Sequence, residues 1–112
     1  MDDQTNILEL RRAVQKFVND RNWVGYHTPK NLSMSIAIEA AEMLEHFQWR
    51  TAEESWALLD DPEAYAQIVD ELADVLIYCL SFANQADIDI SNAVRAKLDH
   101  NEGRYPVGYM PT

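Results

Sequence analysis

Glu39 and Glu42 stand three residues apart, and Glu71 and Asp74 repeat that spacing further along the 112-residue chain. On a helix, this spacing puts both members of a pair on one face. Ile36, Ala37, Ala40, Ala41, Met43 and Leu44 surround the first pair, and Leu72, Ala73, Val75 and Leu76 surround the second. The acids therefore border a core. Like charges so placed repel, and carboxylates that lose hydration resist ionising unless a cation compensates them. All-oxygen ligation selects a hard divalent ion, Mg2+ or in its place Mn2+, with waters and phosphate oxygens completing its shell. Solvated acids on amphipathic helices are the competing account, because E-x-x-E is frequent in helices of every function. Two such pairs on neighbouring long helices bring the two accounts level. Glu45 extends a flank of the first pair as an auxiliary candidate, and Asp70 is expected in solvent.

Other chemistries fit less well. A di-iron centre in a helical bundle normally includes Glu-x-x-His on two helices, and neither pair has it. His46 follows Glu42 by four residues and is expected at the rim of the site rather than on a metal. There is no Gly-rich phosphate loop and no convincing Ser/His/Asp or Cys/His set, which disfavours covalent catalysis. The lone Cys79, inside the apolar run VLIYCLSF, is expected to act as a small core hydrophobe with a raised thiol pKa. With 19 acidic against 9 basic residues and a net charge of −10, nucleic acid is not an expected partner. Neither a leader-like N-terminus nor a membrane-spanning apolar run is found, so a soluble, cytoplasmic protein is expected.

The elements that must carry these residues are helical. Asn6 and Glu9 form a capping-box pattern, and Ile7, Leu10, Val14, Phe17 and Val18 recur at helical spacing, predicting a first helix over Ile7 to Arg21. NWVGYHTPKN reads as a loop, and its large rings suggest a face toward a ligand. Asn31 is the expected N-cap of a second helix over Leu32 to Gln48. Thr51 and Glu54 cap a short amphipathic turn that ends at Asp60 to Pro62, and a third helix runs from Pro62 to Gln85. Between Val75 and Ala83 that helix is apolar on nearly every side, which calls for a central position or a second subunit over its outer face. A fourth helix turns Ile90, Ala93, Val94 and Leu98 inward, Gly103 and Pro106 stop it, and RYPVGYMPT is an extended tail. No linker divides the chain, so residues 1–112 are expected to form one all-α domain of four main helices, a bundle completed by oligomerisation.

The runs EAAEMLEHFQW, DELADVLIY and KLDHNEGRYP together resemble the MazG-like all-α nucleoside triphosphate pyrophosphohydrolases, and within them the dCTP pyrophosphatase branch. The likeness extends from about Arg21 to Val107. It implies that Glu39, Glu42, Glu71 and Asp74 are metal ligands. Ile38 stands where many relatives carry a second glutamate, as an apolar or small residue does in that branch. The resemblance also implies that Trp23 and Trp49 line a nucleobase pocket, with His27 in the ligand-facing loop and Tyr78 one turn after the second acid pair. Lys97 and Asn101, with Arg104 and Tyr105 beyond them, look like its substrate contacts. For the aromatics the competing role is packing, and for Lys97 and Arg104 it is a solvated surface charge. The implied activity is Mg2+-dependent hydrolysis of dCTP, or another surplus or non-standard nucleotide, to the monophosphate and pyrophosphate. Glu39 or Glu42 would serve as base, and the implied assembly is a homotetramer built as a dimer of dimers. A non-catalytic acidic binding module with a structural metal is the alternative.

Overall fold

The computed structural model describes residues 1–111, and all regular structure among them is helical. Helix α1 spans Ile7–Asp20, a single 3-10 turn covers Val24–Tyr26, and α2 spans Pro29–Glu45. Then come α3 (Ala52–Leu58), α4 (Pro62–Ala86) and α5 (Ile90–Arg104). Thr112, the last residue of the expected domain and tail, lies outside the described residues.

Local chemistry explains most boundaries. Asn6 Oδ1 accepts from Glu9 N at 2.9 Å at the head of α1, and Thr51 and Glu54 close a reciprocal capping box on α3. That segment is a seven-residue helix rather than a turn, which makes five helices where four main ones were expected. Asp61 caps α4 with Pro62 at its first position. Helix α2 starts earlier than expected because Thr28, not Asn31, is its N-cap. The Thr28 Oγ1 accepts from Asn31 N at 3.2 Å, Pro29 supplies the first helical φ, and the Asn31 amide donates back to Tyr26 O at 3.0 Å. The same helix ends at Glu45, so Phe47, Gln48 and Trp49 lie in the turn beyond it. Gly103 does not stop α5. It is helical, and the chain leaves the helix at Tyr105, before Pro106. The tail is not fully extended, since Tyr109 N bonds to Pro106 O at 2.9 Å and the Tyr105 and Tyr109 rings approach to 5.1 Å.

Helix α4 is the axis of the molecule, packed along α2 and, over a shorter length, α1. Val18, Leu32, Ile68, Leu80 and Ala83 are buried between these three helices. Arg11 joins α1 to the end of α4, its Nε donating to Asn84 Oδ1 at 3.0 Å and its Nη2 to Ala83 O at 3.2 Å. The Asn84 amide answers with a bond to Arg11 O at 3.0 Å. Asp87, in the left-handed region at φ 54°, terminates α4 there.

Within one chain the all-round burial expected of α4 is incomplete. Leu72, Leu76 and Ile77 are exposed, Leu76 to 53%. Of the α5 residues expected to face inward only Ile90 is partly buried, since Ala93 is exposed and Val94 and Leu98 are more than half exposed. The chain presents 8876 Å² to solvent, whereas a compact monomer of its mass presents about 6300 Å² by size scaling. Its radius of gyration of 16.8 Å likewise exceeds the roughly 13 Å of a compact chain of this length. A conventional core accounts for only part of the apolar sequence.

Candidate active site

The packing of α2 on α4 brings both acid pairs to one place. Glu39 shows the consequence: its carboxyl is held above the usual glutamate range, first by burial, then by its side-chain contact with Glu42 and by the charges of Glu42, Asp74 and Glu71. Glu39 thus feels all three other acids. Glu39 Oε2 and Glu71 Oε2 are buried without a hydrogen-bond partner, although buried polar atoms normally have one. Buried carboxylate oxygens without hydrogen bonds are the donor atoms a hard divalent cation takes. Among the described residues, no three acidic, His or Cys side chains yet close round a common point, so filling the site requires side-chain adjustment. The residues present fit an ion that also takes waters and phosphate oxygens as ligands.

His46, expected at the rim, caps the end of α2 with its Nε2 2.5 Å from Glu71 Oε2. His46 Nε2 is thus the polar group beside that oxygen, which makes no hydrogen bond. Glu45 is exposed and absent from the groups acting on Glu39, and Asp70 is exposed as expected.

A second cluster stands where the loop after α1 crosses α4. The His27 ring is 6.5 Å from Trp23 and 26° from parallel with it, and 6.4 Å from Tyr78. Its Nδ1 is 2.8 Å from Ser81 Oγ, and Phe17 meets Trp23 edge-on at 5.7 Å. Three of the residues expected to contact substrate therefore form one surface. Ser81 is only 2% exposed and was not among the sequence candidates. Its signal was slight, a single serine in VLIYCLSF three residues after Tyr78. Cys79, in the same run, is half-buried, and burial pushes its thiol up as expected.

Trp49 is elsewhere, 87% exposed, on a cleft of about 440 Å³ that Glu45, His46, Arg50, Leu58 and Asp61 also line. His46 connects that cleft to Glu71. Lys97, Asn101 and Arg104 lie along α5, which packs extensively on no other helix of its own chain. No carboxylate pairs with Lys97 or Arg104 among the described residues, and Arg104 lies over the Tyr105 ring at 5.1 Å. One chain thus joins the acids to Tyr78 through α4 but leaves the α5 residues apart.

Residues 34–109 match the MazG-like family. The chain belongs to that family. It is 36% identical over 99 residues to dCTP pyrophosphatase 1 of Bos taurus, covering 88% of this chain and 59% of that protein. The Homo sapiens protein of the same name is 37% identical over 98 residues, with 88% and 58% covered. The chain thus spans about three fifths of the length of these curated relatives. A crystal structure of a pyrophosphatase from Archaeoglobus fulgidus superposes with a TM-score of 0.81 at 43% identity, covering 88% of this chain and 90% of that one. This MazG-like chain places its E-x-x-E pair on α2 and its E-x-x-D pair on α4, and no described helix is long and apolar enough to cross a membrane.

Proposed function

We propose that this MazG-like chain hydrolyses nucleoside triphosphates between the α and β phosphates, releasing the monophosphate and pyrophosphate. The observation that carries it is the four-acid face, with two buried carboxylate oxygens that make no hydrogen bond and a glutamate whose carboxyl is held above its usual range by burial and by its acidic neighbours. Similarity to proteins named dCTP pyrophosphatase supports dCTP, or another surplus or non-standard deoxynucleotide, as substrate.

Glu39, Glu42, Glu71 and Asp74 would hold Mg2+, with Mn2+ able to replace it. When bound, the metal supplies charge neutralisation at the phosphate oxygens and lowers the pKa of the attacking water. Glu39 or Glu42 takes the proton from that water as its oxygen bonds to phosphorus and the bridging P–O bond breaks, so that pyrophosphate departs. Lys97 and Arg104 bind phosphate oxygens, Asn101 and Tyr105 add polar contacts, and Trp23, His27, Tyr78 and Trp49 enclose the base. Because α5 stands apart from the acids in one chain, the complete site draws on a second chain. The assembly proposed is a homo-oligomer, a dimer of dimers. Clearing or balancing nucleotide pools would place the protein in the cytoplasm.

The open apolar faces of α4 and α5 also suit a purely associating module that carries a structural metal. Assaying pyrophosphate release from a nucleotide panel, with Mg2+ and then with a chelator, separates the two. Hydrolysis dependent on the metal is expected, while metal binding without any turnover supports the module.

A further inference from the structure

Ser81 is the one buried polar residue in the core of the described chain. A serine inside a helix commonly returns its proton to a carbonyl one turn back, as Ser33 does to Lys30 O at 2.8 Å and Ser55 to Ala52 O at 2.6 Å. Ser81 makes no such bond among the described residues, and its one polar partner is His27 Nδ1. A buried hydroxyl proton needs an acceptor. His27 Nδ1, at 2.8 Å, meets that need when it is the unprotonated ring nitrogen and Ser81 Oγ–H donates to it. A neutral imidazole then carries its single proton on Nε2.

We propose that Ser81 is a positioning residue that fixes His27 as an Nε2–H donor toward an acceptor atom of the nucleobase, a keto oxygen or an unprotonated ring nitrogen. The proposal rests on the nucleotide-hydrolase function above. The flanking groups favour a base over a phosphate: the Trp23 and Tyr78 rings stand 6.5 and 6.4 Å from the His27 ring, and the Arg21 guanidinium beside the cluster is already engaged, over the Phe17 ring at 3.6 Å and on Phe17 O at 3.2 Å. Flat apolar walls beside one donor recognise a base edge, whereas a triphosphate calls for several cations. A base presenting an N–H at that point would set donor against donor, and a site built on one hydrogen bond rejects such a mismatch more strongly than it rejects a change of size.

The test uses the full chain with Ser81→Ala, His27→Gln and the double variant. Gln places an amide N–H near the position of Nε2 and does not need Ser81 to orient it. Ser81→Ala is expected to raise the nucleotide KM about three- to tenfold, the value of one orienting hydrogen bond, with a smaller change in kcat. In the His27→Gln background the same substitution should have little further effect. A merely structural hydroxyl predicts a lowered melting temperature with KM unchanged, or an equal KM effect in both backgrounds, and either result overturns the proposal. The ligand-free chain gives an independent reading by nitrogen NMR at a pH where the ring is neutral. His27 Nδ1 should resonate as an unprotonated, hydrogen-bonded nitrogen and should move toward the free position in Ser81→Ala. A protonated Nδ1 overturns the assigned donor. Should the parent hydrolyse no nucleotide, the proposed activity fails by that result alone. The nitrogen spectrum then still decides whether Ser81 sets the His27 ring.

Discussion

At Glu39, burial, the Glu42 contact and three like charges all favour the protonated carboxyl. The linkage has a definite sign. A carboxyl whose folded pKa lies above its unfolded value subtracts stability once ionised, because the unfolded chain gives up its proton more readily. The deficit grows from the ordinary glutamate pKa up to the raised one, is complete above it, and disappears as pH falls back through that window. With a chelator present, Glu39→Gln should therefore melt no lower than the parent at neutral pH, and its advantage should shrink on acidification. A clearly less stable Glu39→Gln at neutral pH would contradict the converging charges. With metal and nucleotide, Glu39→Gln, Glu42→Gln, Glu71→Gln and Asp74→Asn should each reduce turnover about a hundredfold or more, the scale of removing a group that stabilises transition-state charge. Activity surviving in any two of them removes the proposed site. The tryptophans make different predictions. Trp49→Ala should raise KM about tenfold, as the loss of base stacking does, and should leave the melting temperature unchanged because the indole is 87% exposed. Trp23→Ala should raise KM similarly but also lower the melt, since Trp23 packs on Phe17 and His27.

At the scale of elements, stability concentrates where α2 crosses α4. Leu32 is nearly fully buried, and Leu32→Ala should cost about 2–5 kcal/mol, a value denaturant unfolding can measure. A loss well under 1 kcal/mol would show that the α2–α4 contact is not the core. Signals carried within a few residues were legible in the sequence: the Asn6 and Thr51 caps, the Asp61–Pro62 start of α4 and the shared face of each acid pair. Asn31 was the expected cap of α2, but Thr28 takes that place because Pro29 directly after it is already set for the first turn. Gly103 misled because glycine near a helix end costs only about 1 kcal/mol and does not break the helix. The His27–Ser81 bond spans 54 residues, and no local pattern announces a partner that distant. The direction of α5 was equally hidden, since an amphipathic stripe shows which residues seek cover and not which chain provides it.

The molecule as a whole leaves apolar area uncovered. Its 8876 Å² exceeds the size-scaled expectation by an amount comparable to what obligate homodimers bury. Light scattering at micromolar concentration should therefore find an oligomer, and Leu76→Glu, on the open face of α4, should dissociate it with loss of thermal stability. A folded monomer of the parent chain would contradict this. The direct trial of the proposed function is phosphorus NMR of a dCTP reaction run with Mg2+. The predicted spectrum shows dCMP and pyrophosphate growing together, with no diphosphate intermediate and no reaction when the metal is chelated. Appearance of dCDP with orthophosphate, or no turnover of any nucleotide by the folded, magnesium-loaded chain, would contradict the account.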